Sequence, residues 1–403
     1  MNATVRNAFK PLASLKLTVV LLACGIFLIF SGTWAQIDMG IWTTLKTYFR
    51  AFFVWIPFAI FLPRHWNVHG GIPFPGGWLI GGLLMLNLIT AHTVRFRYTR
   101  KRLGILLIHF GLVLLLCGEL VTGIFADEAR MSIDEGQTVN YAEDTRNVEL
   151  AIIDPSGAQT DHVVVVPESR LRHRGRIQDA RLPFVLQVEA FYPNAELVDG
   201  TELTAAGAGL GPVADRGFAA SLGARARPRP SVSGVDQDEI DLPAAYITVL
   251  ADGESRGTYL AALYFSLMPR FGPQDVVVGD KTYRMALRYV RDYKPYSISL
   301  LDFEHDRYLG TETPRNFSSR IRLVDATQNE DREVLIYMNN PLRYRGETFY
   351  QASFKQGDTG TVLQVVRNPG WLLPYIACTL GALGMIVHFG MHLKRFLRRT
   401  RTA

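Results

Sequence analysis

Four long apolar runs constrain the fold of this chain more than any other feature. They cover residues 17–34, 78–94, 103–126 and 371–393, and each is close to the ~20 residues that a helix needs to cross a bilayer. The first run is too long for the apolar part of a typical signal peptide, and no small-x-small cleavage site follows it. We therefore predict four transmembrane helices, with the first retained as an anchor.

The basic residues predict how these helices are oriented. Three short stretches beside the apolar runs hold 13 of the 43 Lys and Arg residues and contain no Asp or Glu. The rest of the chain carries 43 − 13 = 30 basic residues against 37 acidic ones, so the high pI does not indicate nucleic-acid binding. With four spans, all three stretches fall on one side, which the positive-inside rule assigns to the cytoplasm. The chain is expected to be a multi-pass protein of the plasma (inner) membrane.

A fifth apolar run, residues 51–62, is too short to be read as a span. It has Pro57 at its centre and Arg50 and Arg64 at its flanks, and a fifth span would put the N-terminal basic stretch opposite the other two. We predict an interfacial or re-entrant segment on the outer face. The alternative is an apolar loop that packs on the outer domain.

The polar region at 127–370 lies between the third and fourth spans. Short segments such as NVELAII, PFVLQVEAFY and RIRLVD alternate apolar and polar residues, and turn signals separate them. The predicted fold class is an α+β membrane protein: a membrane region at 1–126, a large extracytoplasmic antiparallel β-rich domain at 127–370, and a last span with a basic tail at 371–403. Residues 203–234, rich in Ala, Gly, Pro and Arg, are predicted to be a long mobile loop.

The sequence offers no enzymatic centre. Its three cysteines all lie in apolar runs and no C-x-x-C occurs, which excludes a thioredoxin-like pair and covalent haem attachment to this chain. No known hydrolase or phosphate-loop motif is present either. We expect the chain to have no catalytic centre of its own.

Ionisable residues inside the spans are the functional candidates, because they are costly in lipid. His92, His109 and His388 lie towards the cytoplasmic ends of three different helices, and a neutral imidazole can ligate haem iron axially. His109 is the deepest of them, whereas His92 and His392 are close enough to the interface for a merely interfacial role. Glu119 lies ten residues beyond His109, about 15 Å along the helix, and is too far away to share its first shell.

The whole pattern resembles the ResB (CcsB) family of cytochrome c biogenesis proteins. Two stretches carry the resemblance most specifically: GILLIHFGLVLLLCGEL at 104–120 and MNNPLRYRGETFYQASF at 338–354, the latter followed by the last span. The SLKLTVVLLA start of the first span also fits.

The resemblance implies a function in the system II pathway. ResB-type proteins pair with a ResC (CcsA) type membrane protein, and the pair moves haem to the outer face and assists its attachment to apocytochrome c. It implies that His109 helps to ligate transient haem b, and that the chain is a subunit of a holocytochrome c synthase complex. A thioredoxin-like thiol reductant of the pathway and membrane lipid are further implied partners. The family's tryptophan-rich haem motif belongs to the partner and does not occur here.

Several assignments stay open at this stage. The second haem ligand could come from the partner, with His388 and His92 as further candidates. Arg343 and Arg345 could contact a haem propionate or the partner, or lie in a solvated turn bracketed by Pro341 and Gly346. Two other functions also remain: a haem b electron-transfer membrane subunit, and a non-haem scaffold whose β domain binds proteins.

Overall fold

The computed structural model of the chain describes residues 9–63, 66, 68–95, 99–157, 160–199, 210–232, 240–308, 310, 314–355 and 357–401. These residues form two compact units. The first holds the chain up to Asp127 and from Arg367 onward, and the second holds the described residues from Glu128 to Val366. Arg6 and Arg97, which belong to two of the basic stretches, lie outside the described residues.

The first unit contains four helices that are long and apolar enough to cross a membrane, which confirms that part of the prediction. They are α1 (Leu15–Thr44), α2 (Gly77–Val94), α3 (Leu103–Phe125) and α7 (Leu373–Arg401). Helix α1 is longer than the predicted span and is kinked at Gly40, whose φ of 71° is non-helical. Helix α7 also continues beyond the predicted span, into the basic tail.

The run at 51–62, predicted to be interfacial or re-entrant, contains a strand followed by a short 3-10 turn at Phe58–Phe61. Strand β1 (Phe53–Pro57) pairs antiparallel with β2 (Gly71–Pro75). A π-helical turn at Leu45–Phe49 precedes β1. Val54 and Ile56 are buried in a cluster with residues of α1 and α2, whereas Phe53 and Trp55 are exposed. This alternation leaves an aromatic face pointing out of the unit. The sequence missed the hairpin because its second strand, GIPFP, lacks β-branched residues apart from one isoleucine.

Close contact between α3 and α7 depends on three glycines spaced seven residues apart. A Cβ added at Gly104 would lie 2.6 Å from the backbone nitrogen of His388, and one at Gly111 would lie 2.7 Å from the carbonyl oxygen of Ala377. At Gly118 the nearest atom is the Cβ of Leu373, at 3.1 Å. Helices in membranes associate by such small-residue packing, because lipid supplies no hydrophobic drive between them.

The second unit is an antiparallel β domain, as predicted. Its strands are β3 (Asp127–Asp134), β4 (Thr138–Asp154), β5 (His162–Pro167), β6 (Gly175–Ile177), β7 (Val185–Tyr192), β8 (Ala195–Asp199), β9 (Ala224–Pro228), β10 (Ala244–Ala251), β11 (Glu254–Ala262), β12 (Gln274–Val278), β13 (Lys281–Arg307), β14 (Pro314–Asp325), β15 (Glu330–Tyr337), β16 (Leu342–Tyr344), β17 (Glu347–Phe354) and β18 (Gly360–Arg367). The largest sheet has the order β15-β14-β13-β4-β3-β18-β17-β16, with β12 added to β13 and β5 added to β4. A second sheet has the order β11-β10-β7-β6, and β8 pairs with β9.

The long strand β13 takes part in two hydrophobic cores. Met285 and Leu287, in its first half, pack in a cluster with residues of β4, β5, β7 and β10. Ile298 and Leu300, in its second half, pack with residues of β3, β14, β17 and β18. Irregular register against β4 between Tyr293 and Ile298 separates the two halves. One continuous strand therefore joins two layers of the domain.

Short helices complete this unit: α4 (Glu168–Leu171), α5 (Gly217–Leu222) and α6 (Leu263–Leu267). Helix α5 and strand β9 lie within the region predicted to be a long mobile loop, so that prediction is wrong for residues 217–228. Ala219 and Ala226 are buried in a cluster around Tyr246, whose hydroxyl accepts a hydrogen bond from the Ala226 backbone N–H at 2.9 Å. Small alanines allow this close packing, although their composition resembles that of a linker. Residues 203–209 and 233–234 lie outside the described residues.

Candidate functional site

Two of the predicted histidines meet between α2 and α3. His92 Nε2 and His109 Nδ1 are 3.1 Å apart, a hydrogen-bonding distance, and the two rings are nearly perpendicular with centroids 4.8 Å apart. Both side chains are partly buried. The sequence placed each histidine near the inner end of its helix but could not predict that they touch, because this depends on how the two helices are rotated.

A second hydrogen bond determines the direction of the first. His92 Nδ1 lies 2.9 Å from the carbonyl oxygen of Leu88, one turn back on α2. A carbonyl only accepts, so His92 Nδ1 is the donor, and in the neutral ring its Nε2 must be an acceptor. His109 Nδ1–H therefore donates to His92. The lone pair of neutral His109 is then on Nε2, which has no hydrogen-bond partner among the described residues.

This arrangement suits a metal ligand. Histidines that bind metals usually donate their other ring N–H to a neighbouring acceptor, which fixes the tautomer and the orientation of the ring. Here His109 donates its Nδ1–H to His92, and the hydrogen bond from His92 to the Leu88 carbonyl fixes the acceptor in turn. The same geometry argues against both rings ligating one iron, because the lone pair on His92 Nε2 already accepts the hydrogen bond from His109.

His388 is on another side of α3. Its backbone packs against Gly104, and its ring lies 4.6 Å from that of His392, centroid to centroid. His109 is five residues beyond Gly104, which is about 7.5 Å along α3 and about 140° around it. The structure thus brings His92, and not His388, to His109.

The two predicted arginines lie at a hairpin turn between β16 and β17. Arg343 is opposite Thr348 in the ladder, and Arg345 and Gly346 form the turn with positive φ values of 47° and 79°. Arg345 Nε is 2.7 Å from a carboxylate oxygen of the fully buried Asp325, and its Nη2 donates to Thr327 Oγ1. The guanidinium of Arg345 is therefore engaged within the domain, and this explains the non-glycine residue at a left-handed position.

Asp325 is the acceptor in a small polar network that sequence reasoning missed. It also accepts hydrogen bonds from the hydroxyl of Tyr344 at 2.8 Å and from Thr327. Burial tends to raise the pKa of Asp325, but the hydrogen bonds from Thr327 and Tyr344, together with the Arg345 charge, hold it at about 2. The network ties the turn after β14 to the β16–β17 hairpin.

A second network lies at the start of β17. The Glu347 carboxylate accepts hydrogen bonds from the Tyr296 hydroxyl and from Lys294 Nζ, and all three side chains are nearly buried. Burial, followed by the hydrogen bond to Glu347, raises the pKa of Tyr296 far above its ordinary value. Polar residues of the PLRYRGETFYQ stretch thus hold the domain together, and Phe349 of the same stretch is fully buried beside them.

In the described part of the chain, no group of three His, Cys, Asp or Glu side chains lies close enough to hold a metal ion.

Comparison with known proteins places the family signal in the β domain. Residues 260–362 match the model of the ResB-like family. In a second comparison, 92 residues are 38% identical to Protein NrfI of Wolinella succinogenes, and they cover 23% of this chain and 10% of NrfI. The aligned stretch therefore spans about a tenth of that relative's length.

The family match begins in β11 and ends in β18, and it includes Asp325 and Glu347 with their buried networks. His92 and His109 lie outside it. The resemblance to the ResB family that the sequence predicts is confirmed: this chain contains a ResB-like segment over residues 260–362.

Proposed function

We propose that this protein is a membrane subunit of a system II cytochrome c assembly complex, in which it helps to move haem across the membrane and to present it for covalent attachment to apocytochrome c. The ResB-like segment supports a role in cytochrome c biogenesis. The observation that carries the haem assignment is the hydrogen-bonded chain from the Leu88 carbonyl through His92 to His109.

In this proposal His109 Nε2 is the axial ligand of the transported haem iron, and His92 is a positioning residue. His92 holds the imidazole of His109 in the tautomer whose lone pair is on Nε2. The second axial ligand comes from a ResC/CcsA-type partner, since His92 is already hydrogen-bonded to His109 and His388 packs on another side of α3. A haem held by one ligand from each subunit can be released when the subunits rearrange, as a carrier requires.

The electron-transfer alternative needs haem b held permanently by two ligands. Its ligands from a single chain would have to include a second imidazole facing His109, and the only imidazole in contact with His109 among the described residues is already its hydrogen-bond acceptor. The scaffold alternative rests on one observation, that the family match lies wholly in the β domain. It predicts that no membrane histidine affects cytochrome c maturation.

The orientation of the chain is part of the proposal. The basic stretches at the ends of α2, α3 and α7 put those ends in the cytoplasm, and the β domain is then extracytoplasmic. His92 and His109 lie near the cytoplasmic ends of their helices, so haem would be ligated in the inner half of the bilayer.

The test compares three variants of the full chain expressed with its ResC/CcsA-type partner. His109→Ala should abolish co-purifying haem and stop holocytochrome c formation, and added imidazole should restore part of both by filling the vacant ligand position. His92→Phe should lower haem affinity about 10–100-fold, the effect typical of losing a ligand's hydrogen-bond partner. Imidazole should not restore the His92→Phe variant, because its iron ligand is still present.

His92→Gln is the conservative control, because its side-chain oxygen can still accept from His109 Nδ1–H. It should retain more haem than His92→Phe, and the absorption spectrum of that haem should be closer to that of the wild type. His162→Ala, in strand β5, should leave haem and cytochrome c unchanged. Intact haem content in His109→Ala would overturn the ligand assignment, and imidazole rescue of His92→Phe would make His92 the ligand instead.

A further inference from the structure

A second feature of the α2–α3 seam is an apolar groove at the opposite end from the histidines. It has a volume of about 500 Å³ and is walled by the first half of α2, the last half of α3 and the segment before β1. Leu116, Leu120 and Gly123 follow His109 by 7, 11 and 14 residues, so they lie on the same face of α3. The groove therefore continues the helix face that carries His109.

Two charged residues line this otherwise apolar groove. Glu119 lies six residues before the end of α3, about 9 Å from that end, and Arg50 precedes β1. Neither side chain makes a hydrogen bond or an ion pair with the rest of the described chain. A carboxylate at this depth in hydrocarbon is costly unless a donor or cation meets it. The groove thus presents an unsatisfied acceptor to whatever covers it.

Three of the four glycines that line the groove, Gly81 and Gly82 of α2 and Gly123 of α3, differ from the glycines of α3 that face α7. Those facing α7 already contact its backbone or side chains. In contrast, Cβ atoms added at Gly81, Gly82 and Gly123 would meet nothing within 4 Å. Glycine in a membrane helix costs helix propensity and is kept where another backbone approaches closely. Here the chain leaves open the space that these glycines create.

We propose that this groove receives a transmembrane helix of another polypeptide, which places a cationic or hydrogen-bond-donating side chain against Glu119 and an acceptor near Arg50. A lipid acyl chain could cover the apolar walls, but it offers no donor at the level of Glu119. The choice of polypeptide rests on the proposed function: it is the ResC/CcsA-type partner that supplies the second haem ligand, because the groove continues the face on which His109 lies.

The experiment uses the full chain with a photo-crosslinking amino acid at Leu116 or Leu120, two leucines that line the groove, co-expressed with that partner. A matched control carries the same probe at Ile386, an exposed position of α7. Both groove positions should give an adduct with one transmembrane segment of the partner, and the control should not. Mass spectrometry of the adduct should identify a segment that contains Arg, Lys, His, Ser, Thr, Asn or Gln.

Variants at Glu119 test the charge. Glu119→Leu should lower the adduct yield about tenfold, within the range expected for one interhelical hydrogen bond. Glu119→Gln, which keeps an acceptor, should retain most of the yield. Gly82→Leu, read out from the Leu120 probe, should lower the yield by filling the groove. Equal amounts of each variant in the membrane fraction, measured by immunoblot, exclude lower expression as the cause.

Other outcomes would overturn the proposal: adducts with phospholipid only, adducts with a second copy of this chain, or no adduct while the partner still co-purifies. Repeating the experiment in the His109→Ala background separates it from the proposed function. Crosslinking should persist there even though haem is lost. If the chain with an intact His109 kept its haem but gave no crosslink, the groove proposal would be refuted and the proposed function would stand.

Discussion

Gly104 leaves no room for a side chain between α3 and α7, so Gly104→Ala tests this packing directly. The added methyl carbon would lie 2.6 Å from the His388 nitrogen, 2.7 Å from the Gly384 carbonyl oxygen and 2.8 Å from the His388 Cα. All three are backbone atoms of one rigid helix and cannot rotate away. Ordinary contact begins at 3.4 Å, so α7 must move by roughly 3.4 − 2.6 = 0.8 Å at this level.

Overpacking of this size costs about 1–3 kcal/mol. Gly123→Ala is the matched control in the same helix, where the added methyl meets nothing within 4 Å. That change should be neutral or stabilise by up to ~1 kcal/mol, through helix propensity. Gly104→Ala should therefore lower the unfolding midpoint in detergent, whereas Gly123→Ala should leave it unchanged or raise it. Equal destabilisation of both would refute the close α3–α7 contact.

Other predictions concern the β domain and its orientation. Asp325, with a pKa held at about 2 against about 3.9 in an unfolded chain, contributes stability that is complete above pH ~4 and is lost as pH falls towards 2. Asp325→Asn should therefore lower stability at pH 7 and flatten the acid limb of the stability–pH curve between those values. Phe349→Ala should cost about 3–5 kcal/mol by leaving a cavity in a fully buried site, measured by denaturant unfolding; a loss below 1 kcal/mol would contradict its burial. Alkaline phosphatase fused after Gly234 should be active and a fusion after Arg102 should not, and the reverse pattern would invert the proposed topology.

The parts of the fold that follow from local patterns were predictable from the sequence. Apolar length alone indicates the four helices, and the starts of α2 and α3 agree with prediction to within a residue. Alternating residues and turn signals likewise predict the antiparallel β domain, because each strand buries one face. Both patterns are contained in short stretches of sequence, so they can be recognised without knowing which distant segments come into contact.

The rest depends on contacts between distant segments. The sequence predicts that His92 and His109 lie near the same end of their helices, but only the rotation of α2 against α3 makes one the hydrogen-bond partner of the other. Similarly, RYRGE reads as a charged turn, whereas the structure buries Asp325 and Glu347 against side chains such as Tyr344 and Lys294, which lie 19 and 53 residues away from them in sequence. Polar residues look solvent-exposed in a sequence unless their partners are known.

Two parts of the chain that lie about 240 residues apart in sequence contact each other in two places. As helices, α3 and α7 pack through their glycines, and as strands, β3 and β18 are adjacent in the large sheet. At a synthesis rate of about 5–20 residues per second, α7 begins to leave the ribosome roughly 12–50 s after α3 is complete. During that interval the small-residue face of α3 and the edge of β3 are both without their final neighbours. Strand β18 and helix α7, which follow each other in the chain, then complete the sheet and the helix pair one directly after the other.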